Sequence, residues 1–336
     1  MRAWRTGIGF AIGLAAGCAY YAWNRHKVVE EVSPELRHPA LYLPMHLLPD
    51  GGFVAISKLI ANHDYIRAVE RDVDVRVIHG EFEGQKFSAR LLAPRNQKPG
   101  APALLWTHGG GHLIGSPGFY DPQNSRIADE LGAVVLAPSY RKSTAAPFPA
   151  DHDECYAALR WLQEHAEEVG VDKHRIAVAG DSAGGGLAAG VVQRALDEGH
   201  PVVFQGLVYP MIDHRTLRAQ SGRGEFIWTP NSNRGAWSKY LGADHLEAEI
   251  APYASPATRA DLRGLPQTWI GVGSLDLFYD EAKAHADALQ EAGVPVDFQV
   301  YKGAYHGFDH IRPKARASRA LVDDLIAALR RTLEAL

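Results

Sequence analysis

Two cysteines, Cys18 and Cys155, are all that 336 residues contain. That is too few for a disulfide framework, and no group of Cys and His has zinc-site spacing, so neither a stapled scaffold nor a structural metal is expected. The formal net charge is −4 and no block of Lys and Arg breaks the mixture, which argues against nucleic acid as a partner. Internal repeats at solenoid periods and long low-complexity tracts are also missing. Long apolar runs are missing with one exception, Gly7 to Trp23, which carries no charge. Arg2 and Arg5 precede it, Arg25 and Lys27 follow it, and Tyr20, Tyr21 and Trp23 suit a membrane interface. The run is barely long enough to span a bilayer and reads best as an uncleaved signal anchor. A cleaved signal at Gly17-Cys18-Ala19, a lipoprotein signal ending at Cys18, and an apolar cap helix of a soluble protein stay open.

What is present suits a large globular chain. Hydrophobic residues make up 46% of the sequence, enough to bury the core of one large α/β domain with a cap. From about Val73 strand and helix patterns alternate, which favours a mostly parallel sheet covered on both faces. Leu321, Leu325, Leu329 and Leu333, with Ile326 beside them, mark one face of a last helix that covers the core.

The most informative stretch is Gly180-Asp181-Ser182-Ala183-Gly184. It follows the strand-like Arg175-Ile176-Ala177-Val178-Ala179 and opens a helix from Ala183 to Glu198 that is rich in small residues. A strand that turns at once into a helix, with one side chain exposed at the apex, tolerates no bulk on either side. Ser182 is the expected nucleophile. Upstream, Leu104 to Thr107 reads as a strand that breaks into His108-Gly109-Gly110-Gly111. Backbone N–H groups unshielded by side chains can hold the oxyanion of a tetrahedral acyl intermediate. A phosphate cradle would want Lys and Ser or Thr after the glycines, where His112 and Leu113 stand.

A serine hydroxyl needs a base, and the base needs an acid to fix its tautomer. Of sixteen histidines, His306 follows the alternating strand Val296 to Tyr301 in a glycine-bounded loop. His310 and His112 are its rivals, each otherwise a solvated loop histidine. Thr268 to Gly273 reads as the preceding strand and Asp276 lies on the loop leaving it. Asp280 and Glu281 stand instead at the start of the helix Glu281 to Ala292, where acidic residues suit the helix dipole and need no catalytic role. Asp276 is therefore favoured as the acid.

With these residues in place the chain resembles the hormone-sensitive lipase-like family of α/β-hydrolases, which includes bacterial family IV esterases and membrane-anchored arylacetamide deacetylases. His108-Gly109-Gly110-Gly111, Gly180 to Gly185, Asp276, Tyr305-His306-Gly307-Phe308, Tyr140-Arg141 and Pro147-Phe148-Pro149-Ala150 follow its signatures over roughly residues 70 to 335. The resemblance implies an α/β-hydrolase fold with a mostly parallel eight-stranded sheet, flanking helices and a helical cap. It implies Ser182, Asp276 and His306 as catalytic residues, the N–H groups of Gly110, Gly111 and Ala183 as oxyanion hole, and His108 and Gly109 as loop support. Lys142 to Ala146, Leu277 and His112 depart from the usual pattern. The expected organisation is an N-terminal apolar segment over 1–27, the first part of the cap over 28–72, and a hydrolase domain over 73–336 with a cap insertion at about 213–261.

The function expected from this pattern is a serine carboxylesterase acting on short or medium acyl esters, with no cofactor and no metal. An amidase, deacetylase or peptidase on the same scaffold is the alternative, and a non-catalytic small-molecule receptor with the hydrolase fold is a second. The expected partner is a small ester, with a membrane contact through the N-terminal segment and a homodimer left open.

Overall fold

The computed structural model describes residues 20–60, 66–69, 71–218, 223–242 and 250–335. The charge-free run is described only from Tyr20 to Trp23; its part before Tyr20, and with it the anchor, signal and Cys18 readings, lies outside these residues. Among them, eight strands form a single sheet: β1 (Val73–Phe82), β2 (Gln85–Pro94), β3 (Ala101–Thr107), β4 (Val134–Pro138), β5 (Val171–Asp181), β6 (Phe204–Val208), β7 (Gln267–Gly273) and β8 (Val296–Tyr301). Their spatial order is β1-β2-β4-β3-β5-β6-β7-β8.

The first two strands are a hairpin closed by Glu83 and Gly84, with φ of 47° and 83°. Left-handed backbone at both central positions is what matches a two-residue turn to the twist of its strands. β2 runs antiparallel to β4, and every pairing from β4 through β8 is parallel. β3, β4 and β6 are buried at every position, as strands covered on both faces must be.

The helices are α1 (20–30), α2 (Asp50–Ile60), α3 (Asp121–Leu131), α4 (Ala150–Glu164), α5 (Ala183–Asp197), α6 (Pro230–Leu241), α7 (Tyr279–Glu291), the short α8 (Phe308–Ile311) and α9 (Arg316–Glu334). Helix α4 packs beside α5, and α3 beside α9. The leucine stripe of α9 is buried along its length, in contact with β6 and β7. Fully burying a Leu side chain contributes about 1.5–3 kcal/mol, so this stripe alone fixes the C-terminal helix.

The segment before β1 divides in two. Val29, Val32, Leu36 and Leu41 belong to the main core, with the Ser33 N–H donating to Gly303 O at 3.0 Å and the Tyr305 hydroxyl donating to Leu36 O at 3.0 Å. Helix α2 instead packs on α6, which lies between β6 and β7 in the chain. Val54, Leu113, Ala183, Met211, Trp228, Trp237, Tyr240 and Phe278 form a second apolar cluster there, directly above the start of α5.

The turn from β5 into α5 has no spare room. A Cβ on Gly184 would lie 2.1 Å from Thr107 O, and one on Gly180 would lie 2.3 Å from Thr107 Oγ1. Backbone cannot yield as a flexible side chain does. Gly184→Ala is expected to cost about 1–3 kcal/mol or more of stability, the usual penalty for overpacking, measured by urea unfolding. A variant as stable as the parent would contradict this packing.

Candidate active site

Ser182, the glycine loop, Asp276 and His306 all lie just past the C-terminal ends of parallel strands: β5, β3, β7 and β8 respectively. That edge is where ligands bind in open parallel sheets. Ser182 caps the N-terminus of α5 with φ 54° and ψ −123°, a region that side-chain-bearing residues enter only when held there. Three backbone bonds hold it. The Ser182 N–H donates to Val208 O at 2.9 Å, and its carbonyl accepts from Met211 N at 2.9 Å and Gly186 N at 3.1 Å.

The Ser182 hydroxyl lies 2.9 Å from His306 Nε2. On the other side of the ring, Nδ1 lies 2.9 Å from Asp276 Oδ2 and 3.1 Å from Oδ1. Nδ1 can only donate to a carboxylate, which leaves Nε2 free to accept the serine proton. Asp276 is fully buried, and its Oδ1 also accepts the Phe278 N–H at 2.9 Å. Tyr209, Phe278 and Trp228 surround the His306 ring, at centroid distances of 4.7, 5.2 and 6.1 Å. Asp280 is elsewhere: its carboxylate is half exposed and paired with Arg223 at 2.6 Å. Glu281 stands in the first turn of α7, as expected, and has a further role there. It is buried, it accepts from Ile212 N at 2.9 Å and bonds the Thr216 hydroxyl, and burial raises its carboxyl well above the usual range. Its place is to fasten the chain where it leaves β6 for the cap.

The glycine loop turns back through left-handed backbone at Gly110 (φ 125°), Gly111 (φ 61°) and His112 (φ 58°). A Cβ on Gly110 would meet Ile114 O at 2.1 Å and one on Gly111 would meet the Trp228 ring at 2.2 Å. Glycine is therefore required twice in succession. No acceptor meets the N–H of Gly110 or Gly111 among the described residues, and Ala183, first in α5, has none inside its helix. The loop is held from behind. His108 Nδ1 donates to Gly109 O at 2.7 Å, and its Nε2 accepts from Lys142 Nζ at 2.8 Å. This fixes a neutral imidazole, and burial, followed by the Lys142 charge, pushes its pKa well below the ordinary value. Tyr140 stacks on the same ring at 4.3 Å and donates its hydroxyl to His108 O at 2.6 Å. Lys142, one of the departures from the family pattern, thus takes a structural place in the loop.

Neither rival histidine is a solvated loop residue. His112 is buried, with Nδ1 2.8 Å from Asp151 Oδ2 and its ring stacked on Tyr240 of α6 at 3.8 Å. His310 is about a quarter exposed and lies 3.3 Å from Asp181 Oδ2. Burial works against its charge, but Asp309 and Asp181 outweigh it and hold the imidazole up to about 9. Asp181 itself accepts from Gly109 N at 2.8 Å and from the Tyr120 hydroxyl at 2.7 Å, tying the serine turn to the glycine loop. Asp181 stands inside the quoted motif, whereas nothing near Tyr120 in the sequence signals its part.

Ser182 and His306 open into a cavity of about 410 Å³, within the range of small-ligand sites. Its walls are mainly apolar: Phe53 from α2, Ile114, Phe119, Ile227, Trp228 and Ile311. Phe53 meets Trp228 edge-on at 5.1 Å, so α2 and the α6 segment close the roof together. A larger crevice of about 820 Å³ lies around residues 160–174 and 199–201, and none of these groups lines it.

A family model described as alpha/beta hydrolase fold matches residues 104–310. Esterase LipI of Mycobacterium tuberculosis (strain ATCC 25618 / H37Rv) is 36% identical over 277 residues, covering 79% of this chain and 84% of the relative. Carboxylesterase NlhH of the same strain is 34% identical over 261 residues, covering 73% and 78%. Among solved structures, a bacterial heroin esterase superposes with a TM-score of 0.78 at 33% identity, covering 91% of this chain and 99% of that one. On these matches the chain belongs to the α/β-hydrolases, in their hormone-sensitive lipase-like esterase family.

Proposed function

We propose that the protein is a serine carboxylesterase that hydrolyses short to medium acyl esters through an acyl-enzyme. The observation that carries this reading is the unbroken line from Ser182 Oγ through His306 to the buried Asp276, with both links at 2.9 Å. In this mechanism Ser182 Oγ attacks the ester carbonyl carbon while its proton passes to His306 Nε2. The carbonyl electron pair moves onto oxygen, where the N–H groups of Gly110, Gly111 and Ala183 receive it. Collapse of this adduct breaks the bond to the alcohol oxygen, which leaves with the proton from His306. Water then repeats the sequence on the acyl-enzyme, releasing the acid and restoring Ser182. A receptor built on this fold would lack one of the three residues, and none is missing. The modest apolar cavity suits an acyl group of limited length.

Ser182→Ala is expected to abolish turnover of 4-nitrophenyl butyrate with the fold retained, as read by circular dichroism. Asp276→Asn should lower kcat by about 10⁴, because the amide no longer fixes the tautomer that accepts the serine proton. Asp280→Asn breaks only an exposed pair and should leave kcat nearly unchanged. If Asp280→Asn were the crippling change, the acid would be misassigned.

We also propose that the N-terminal stretch holds the protein at a membrane. Among the described residues, all the exposed large apolar side chains except Val77 and Val300 fall between Tyr20 and Val69, in the end of the charge-free run and the stretch that follows it. The described helices include none long and apolar enough to cross a bilayer, and the anchor in this reading is the charge-free run that begins at Gly7. Deleting Met1 to Ala19 should move the protein from the membrane pellet to the supernatant with ester turnover retained. Full-length protein found in the supernatant without detergent would overturn this.

A further inference from the structure

A second cavity, of about 460 Å³, adjoins the ester pocket and shares Phe119, Tyr120 and His310 with it. Its chemistry is the opposite. The ester pocket is apolar, whereas this cavity is edged by Arg67, Lys314 and Arg319, none of which forms an ion pair among the described residues. Arg67 lies over the Phe119 ring, with its guanidinium carbon 5.1 Å from the ring centre, on the wall that divides the two spaces. The other two arginines of the lining are engaged: Arg71 with Asp129 and Glu130, and Arg126 with Glu130 and Asp323. The carboxylate of the lining, Asp309, accepts the Tyr209 hydroxyl at 2.8 Å and lies 3.6 Å from His310 Nδ1, so it is matched already. These unmatched cations leave the space short of negative charge.

We infer that this cavity is a subsite for the anionic end of an ester substrate, a carboxylate whose oxygens reach Arg67, Lys314 and Arg319 while the ester group lies at Ser182. The inference rests on the carboxylesterase reading and narrows its substrate class to esters with a remote negative charge on the acid or the alcohol.

The test compares matched esters in the full chain. The acyl-side pair is the mono-4-nitrophenyl ester of adipic acid against 4-nitrophenyl hexanoate. The alcohol-side pair is 4-acetoxyphenylacetate against 4-methylphenyl acetate. The parent is expected to favour the anionic member of at least one pair relative to the variant Lys314→Gln/Arg319→Gln. In that pair the double substitution should lower the anionic-to-neutral ratio of kcat/KM about fivefold, the scale of two exposed ion pairs. Raising the salt should lower the parent's ratio in the same direction. Both residues lie on the surface near the start of α9, away from Ser182, so kcat/KM for the neutral esters should hold and reports that the variant is folded. A ratio unchanged by the substitutions in both pairs overturns the subsite. Failure of the parent to hydrolyse any neutral ester would instead overturn the esterase reading.

Discussion

The structure depends on one strained residue. Ser182 has to leave β5 and begin α5 with φ 54°, and nothing local favours that conformation. It persists because the surroundings leave no other: three backbone bonds fix its peptide, and the glycines on either side let Thr107 and Pro210 approach where any Cβ would collide. The sheet order then does the rest. With β3 on one side of β5 and β6, β7 and β8 on the other, the glycine loop, the acid and the base reach Ser182 at one edge of the sheet from three other strands. The strain is offset by a buried core to which every central strand contributes.

Behind the reacting groups lies a polar layer that is fully bonded. Asp181 draws Gly109 and Tyr120 together, while His108, neutral and clamped between Tyr140 and Lys142, fixes the carbonyl of Gly109. A further pair, His112 and Asp151, joins the glycine loop to α4, and the Tyr240 ring joins it to the cap. Apart from the half-buried Lys142 each of these groups is buried, and a buried polar group left without a partner costs about 1–3 kcal/mol, so the loop has one low-energy shape. Donors that do not move when charge develops are what an oxyanion site requires.

The parts legible in the sequence are those set by local geometry. A serine between glycines, three glycines after a strand, and an Asp and a His each just past a strand all declare themselves within a few residues, and the strand bounds of β8 and β7 follow from alternation and turn residues. Illegible were the partners that the fold brings from afar. His112 meets Asp151 from 39 residues away, Lys142 meets His108 from 34, and Glu281 holds Ile212 from 69. Each such residue is polar and sits on a loop or at a helix start, where solvent is the ordinary partner, so its sequence surroundings point outward. The departures of Lys142 and His112 from the family pattern turn out to be such long-range partners. The division of the N-terminal stretch between core and roof was hidden for the same reason, since Leu36 and Phe53 look alike until their neighbours are known.

The central claim is that Ser182 alone in this chain is activated for attack on a carbonyl carbon. Treating the protein with a fluorophosphonate and locating the adduct by tandem mass spectrometry tests it most directly. The account predicts one adduct per chain, on the Ser182 side chain. An adduct on another residue, or none in folded protein, would contradict it.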